Sequence, residues 1–145
     1  MAITQAIANS FKKELLEGQH EFQFGGDKFK LALYTSSATL NSATTSFTTT
    51  AEVPNSGTYA SGGGALVQPN PSTSVASGVA IVDFNDVSFT AATINARGAL
   101  IYNTSAANKA VAVLDFTADK ISTSGTFTIV FPPFTTSAAI LRISG

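Results

Sequence analysis

Lys28-Phe29-Lys30-Leu31-Ala32-Leu33-Tyr34 alternates strictly, with Phe29, Leu31 and Leu33 on one phase and Lys28, Lys30, Ala32 and Tyr34 on the other. A period of two puts alternate side chains on opposite faces, so the stretch predicts a half-buried β-strand. Just before it, Phe22 and Phe24 alternate with Glu21 and Gln23, and Gly25-Gly26-Asp27 reads as a turn. Downstream, the same texture predicts strands at Gly78–Phe84, Val87–Thr90, Arg97–Tyr102, Ala110–Phe116, Thr126–Phe131 and Ala139–Ile143. Polar or proline-containing breaks separate them at Asn85-Asp86, Asn103 to Asn108, Ser122 to Gly125 and Pro132-Pro133. Short, evenly spaced strands predict an all-β fold, a jelly-roll-like antiparallel β-sandwich.

Upstream of the strands the period changes. Ile3, Ile7, Phe11 and Leu15 recur every fourth residue, which predicts one amphipathic helix over residues 3–17, with Thr4 as N-cap and Gly18 as its stop. An isolated helix of that length is marginal in water, so its stripe must dock on the sheet or on a partner. Ser36 to Ser77 is the exception to the strand texture. It is rich in Thr, Ser, Ala, Gly and Pro, has Glu52 as its one charge, and predicts a long loop excursion. Gly62-Gly63-Gly64 reads there as a hinge, and short strands are expected near Phe47–Thr50 and Ala65–Gln68.

The 145 residues suit a single domain, 1–145. Hydrophobic residues make up 44% and charged residues only 12% of the chain, about half the usual charged share. Hydroxyl side chains fill the gap, giving a surface that repels neighbours weakly. The net charge of −1 and the lack of any Lys/Arg run argue against a nucleic-acid partner. Without cysteine there is no disulfide and no thiolate chemistry. No apolar run is long enough to span a bilayer, and Lys12, Lys13 and Glu14 interrupt what a signal peptide would need. Neither a membrane nor an export route is expected.

Chemistry-bearing residues are sparse. The single histidine, His20, lies in the helix-to-strand connection and is expected to be solvated rather than catalytic, since no nucleophile elbow accompanies it. Asp83, Asp86, Asp115 and Asp119 sit at strand ends and read as turn-capping groups; the spacing of a calcium loop is missing. The glycine triplet lacks the Lys-Ser/Thr of a phosphate loop. Catalytic residues, metals and cofactors are therefore not expected. The candidate partner-binding residues are Ile3, Ile7 and Phe11 on the helical stripe, and Arg97, which either anchors an interface or pairs with a local Asp. Val79–Phe84 is similar to Val111–Phe116, and Ala32–Ala38 to Leu100–Ala106; with no third copy, a small strand alphabet explains both.

Four stretches together carry a family likeness: residues 2–18 (AITQAIANSFKKELLEG), Phe29–Thr35, Ile94–Asn103 and Lys109–Phe116. They resemble small virion proteins of tailed bacteriophages, of the kind that decorate or cement the capsid. The resemblance implies a structural protein of the capsid exterior, made in the host cytoplasm, that binds the major capsid protein. It supplies no catalytic motif to transfer. The weakly guarded strand edges expected of so charge-poor a sandwich add a homo-oligomer, dimer or trimer, to the expected partners. The alternatives are a phage tail component, such as a fibre adaptor or receptor-binding module, and a carbohydrate-binding or hydrolytic β domain. The lack of tryptophan weighs against the last.

Overall fold

The computed structural model describes residues 2–144. Its strands form two antiparallel sheets, and one short helix lies near the N-terminus, so the all-β sandwich with an N-terminal helix is the fold. In chain order the elements are β1 (Ala6–Ile7), α1 (Asn9–Leu16), β2 (Phe29–Tyr34), β3 (Gly64–Ala65), β4 (Thr73–Ala76), β5 (Val79–Val82), β6 (Val87–Asn103), β7 (Lys109–Ile129) and β8 (Leu141–Ser144). The larger sheet runs β1-β7-β6-β2-β3 and the smaller one β4-β5-β8. Phenylalanine rings bridge between them: Phe22 stacks on Phe29 at 4.5 Å, Phe29 meets Phe84 at 5.6 Å, and Phe84 meets Phe131 at 5.9 Å. Among the described residues no helix is long and apolar enough to cross a membrane.

β2 is a central strand, buried on both phases rather than one. β6 pairs along its whole length on one side. On the other side the segment 51–66 runs along it, with Val53 N–H bonding to Leu33 O, Thr35 N–H to Ala51 O and Leu66 N–H to Phe29 O. Residues 51–66 of the long segment therefore form a margin of the larger sheet, while Thr73–Ala76 is β4 of the smaller one. Leu40, Val53, Tyr59 and Leu66 are buried in the 36–77 segment. Three tyrosines pin it: Tyr34 Oη donates to Thr48 O (2.6 Å), Tyr102 Oη to Gly62 O (2.6 Å), and Tyr59 Oη to Glu52 Oε2 (2.8 Å) while accepting from Leu33 N–H (2.8 Å). The glycine triplet is likewise no hinge. A Cβ on Gly63, which has φ +84°, would lie 1.8 Å from Leu31 O, so only glycine lets the chain pass this close to β2.

The predicted helix 3–17 is shortened to Asn9–Leu16, though Gly18 ends it as expected, at φ +74°. Its first third belongs to sheet-like pairing: Thr4 N–H bonds to Leu40 O instead of capping, and Ala8 N–H bonds to Val111 O. Long-range backbone partners outcompete an isolated turn whose nucleation is costly. Glu21–Phe24 forms no strand; Phe22 is buried and Phe24 is exposed.

Four predicted strands fuse into two. Asn103–Asn108 is a true turn, a 3-10 segment with Ala107 and Asn108 at positive φ, and it joins β6 to β7. Ser122–Gly125, expected as a turn, is a kinked stretch within β7, where register shifts and Ser124 at φ 46° absorb the irregularity. The similar stretches Ala32–Ala38 and Leu100–Ala106 meet as direct sheet partners, with Ala32 opposite Leu100. The other similar pair sits in different sheets, β5 and β7.

Candidate functional site

The helix and the smaller sheet enclose an apolar cleft. α1 and its flanks contribute Ile7, Phe11 and Leu15, and the facing strands contribute Val82, Leu141 and Ile143. Strand alternation explains the wall: Val75, Ala80 and Ile143 lie side by side across β4, β5 and β8, so their side chains share one face. The volume is about 260 Å³. That lies below the ~300–1,000 Å³ of ordinary small-molecule pockets. It suits one or two apolar side chains of a protein partner. Apolar groups continue onto the surface, with Leu16 90%, Val75 70% and Ile143 58% exposed.

Below the cleft lies a polar cluster that the sequence does not announce. His20, expected in solvent, is buried with its ring 4.8 Å from Phe11. Its Nε2 is 3.0 Å from Glu14 Oε1, and its Nδ1 is 3.0 Å from Asn103 Nδ2. The same Asn103 amide donates to Asp27 Oδ2 (2.8 Å), and its Oδ1 accepts from Ser105 N–H (2.9 Å). Since the amide nitrogen can only donate, Nδ1 accepts and Nε2–H donates to Glu14. Lys109 completes the set, donating to Gln19 Oε1 (2.7 Å) and standing 3.7 Å from Glu14 Oε2. This cluster ties α1 to the β6–β7 turn. Both imidazole nitrogens are engaged, so the ring is a structural brace for one wall of the cleft.

The sequence-predicted contact residues separate. Ile3 and Phe11 are buried in the protein's own core, so the stripe docks on its own sheet; Ile3 is not exposed to a partner, while Phe11 forms part of the cleft floor. Ile3 packs where Gly98 leaves room, a Cβ there falling 2.9 Å from Ile3 side-chain atoms. Ile7 is half-buried and lines the cleft. Arg97 lies apart from these, half-exposed, its Nε 2.7 Å from Asp119 Oδ1, the local pairing weighed above. Leu16, which in sequence widens the stripe, was not among the expected contact residues, yet it is 90% exposed.

The remaining carboxylates act locally. Asp86 Oδ1 accepts from Phe131 N–H, Asp115 Oδ1 from Thr117 N–H, and Glu52 takes Tyr59, Ser61 and Gly62. Burial, with a contribution from neighbouring Asp86, raises the Asp83 carboxyl above its ordinary range. Among the described residues no three His, Asp or Glu side chains converge as metal ligands would. No family model, no curated protein and no solved structure matches this chain.

Proposed function

We propose that this chain is a non-enzymatic structural protein of a tailed-phage virion, one that decorates and cements the capsid by binding the major capsid protein. One observation carries the reading. The four stretches that resemble phage decoration proteins lie together in space: residues 2–18 hold β1 and α1, and the others hold β2, the paired half of β6 and the start of β7. The exposed apolar rim beside that unit and the low surface charge agree with a protein-binding role, where a few buried anchors dominate affinity.

Copy number in purified virions tests this directly. A decoration protein is present in a fixed ratio to the major capsid protein, whereas a tail component is present in few copies. Absence from virions rejects the assignment. Binding of the purified chain to undecorated heads supplies the second readout. Leu16→Asp with Val75→Asp should weaken that binding at least tenfold while leaving thermal unfolding unchanged, because both side chains are largely in solvent.

A further inference from the structure

The smaller sheet is unguarded on one side. β4 is its outer strand, pairs with β5 alone among the described residues, and is exposed at all four positions, Thr73–Ala76. Hydrogen bonding fixes which of its backbone groups face out. Asp83 N–H bonds to Ser72 O, so Ser72 turns its backbone towards the β5 side. Antiparallel pairing alternates, so Ser74 and Ala76 also bond inward, opposite Ile81 and Val79. Thr73 and Val75 therefore point their N–H and C=O groups outward, and among the described residues these four groups have no hydrogen-bond partner. Native edges are ordinarily blunted by charge, proline or a covering segment. β4 contains neither charge nor proline, and the chain carries no charge anywhere from residue 53 to residue 82. The opposite edge, β8, differs: Arg142 lies on it, and Gln5 and Ile7 border the hollow beside it.

The two outward residues also share the cleft's face of the sheet. Thr73 lines the cleft, and Val75, two positions on, continues the exposed row of Ala80 and Ile143. We infer that an extended, uncharged segment of the major capsid protein adds to β4 as a further strand and sets a large apolar side chain into the cleft. This rests on the capsid-binding reading and gives it a mode, in which backbone bonds supply affinity and the pocket supplies selectivity. In an antiparallel pairing, residues of the added strand opposite Thr73 and Val75 project on the cleft face about 5 Å from them. Size selects a foreign segment over a second copy. A cavity of about 150 Å³ already holds benzene, and this cleft measures about 260 Å³. β4 of another copy offers nothing larger than valine, which would leave the cleft largely empty. Charge selects the rest of the segment. A charged side chain laid along an edge that has no charge to pair with would lose hydration without compensation.

Hydrogen exchange of the full chain, free and attached to undecorated heads, tests this residue by residue. In the free chain the Thr73 and Val75 amides should exchange freely, while Ser74 and Ala76, bonded to β5, exchange more slowly. On heads, exchange at Thr73 and Val75 should slow about tenfold or more, with Ser74 and Ala76 little changed. Val75→Pro removes one outward N–H and no bond to β5, so it should keep the native circular dichroism and bind heads about tenfold more weakly. Val75→Thr keeps that N–H and the branched shape, and should weaken binding no more than about threefold. The wild-type exchange pattern stands whatever the proline does to β4. Attachment with Thr73 and Val75 still exchanging freely overturns strand addition and leaves the capsid reading in place. Failure to attach overturns both. Equal weakening by the two substitutions would assign the effect to the side chain and overturn backbone pairing. Protection of the two amides in the free chain, growing with concentration, would give the edge to a second copy and equally overturn the inference.

Discussion

Tyr102→Phe isolates one of the three hydroxyls that pin the long 36–77 segment. The ring stays: it stacks on Phe47 at 4.7 Å, and phenylalanine keeps that contact and the volume. What is lost is the 2.6 Å bond from Tyr102 Oη to Gly62 O. A hydrogen bond contributes about 1 kcal/mol net, and a buried acceptor left unpaired costs about 1–3 kcal/mol. Gly62 is itself buried, so a total near 2 kcal/mol is expected. At roughly 3–4 °C per kcal/mol for a chain of this size, the melting temperature should fall by about 6–8 °C. The effect should also be local. Amide exchange at Gly63, whose N–H bonds to Ala60 O, and at Leu66, bonded to Phe29 O, should accelerate more than exchange in the β2–β6 ladder. Unchanged melting, or acceleration spread evenly over both regions, would refute the idea that this hydroxyl holds the segment to the sheet.

Other perturbations probe the remaining links. His20→Leu takes one acceptor from the Asn103 amide, which keeps Asp27 and Ser105, and removes a donor from Glu14 in a buried setting, so unfolding in denaturant should show a loss of about 1–3 kcal/mol, against nearly none for Lys13→Ala in the exposed Lys13–Glu17 pair. Gly63→Ala combines left-handed backbone strain with a backbone collision, and should cost more than about 3 kcal/mol or leave the protein insoluble on expression. Alkaline pH acts through the tyrosines. Burial pushes Tyr102 up to about 12, and raises Tyr34 and Tyr59 further. The folded state then keeps protons that the unfolded chain releases, so this stabilisation is complete below the ordinary tyrosine value near 10 and fades as pH climbs towards 12. Tyrosinate absorbance should appear together with loss of circular dichroism; a reversible titration near 10 with the fold intact would contradict the burial.

Local pattern made the sheet legible and long-range pairing hid the rest. The period of two around Leu31 and the turn at Asn103–Asn108 depend on neighbours in sequence, and both are present in the structure. The helix start is different. Ile3 and Ile7 fit the same stripe whether helical or extended, and only Leu40 and Val111, distant in sequence, decide between the two. Ser122–Gly125 has turn composition, yet β6 lies alongside and turns the irregularity into a strand kink. The site suffered most. His20 depends on Asn103, 83 positions away, and the glycine triplet's purpose depends on Leu31; neither has a local signature.

Where the polar groups are engaged bears on what the surface is for. Both nitrogens of His20, both carboxylate oxygens of Glu52 and all three tyrosine hydroxyls are engaged within the chain. Groups so engaged would have to give up buried bonds, each loss costing about 1–3 kcal/mol, before they could act on a substrate. The large side chains most exposed among the described residues are of another kind: Leu16 and Val75, Ile143 at the cleft, and Ile121 and Val130 on β7 and just past its end. These gain most by contact with another protein, through apolar burial.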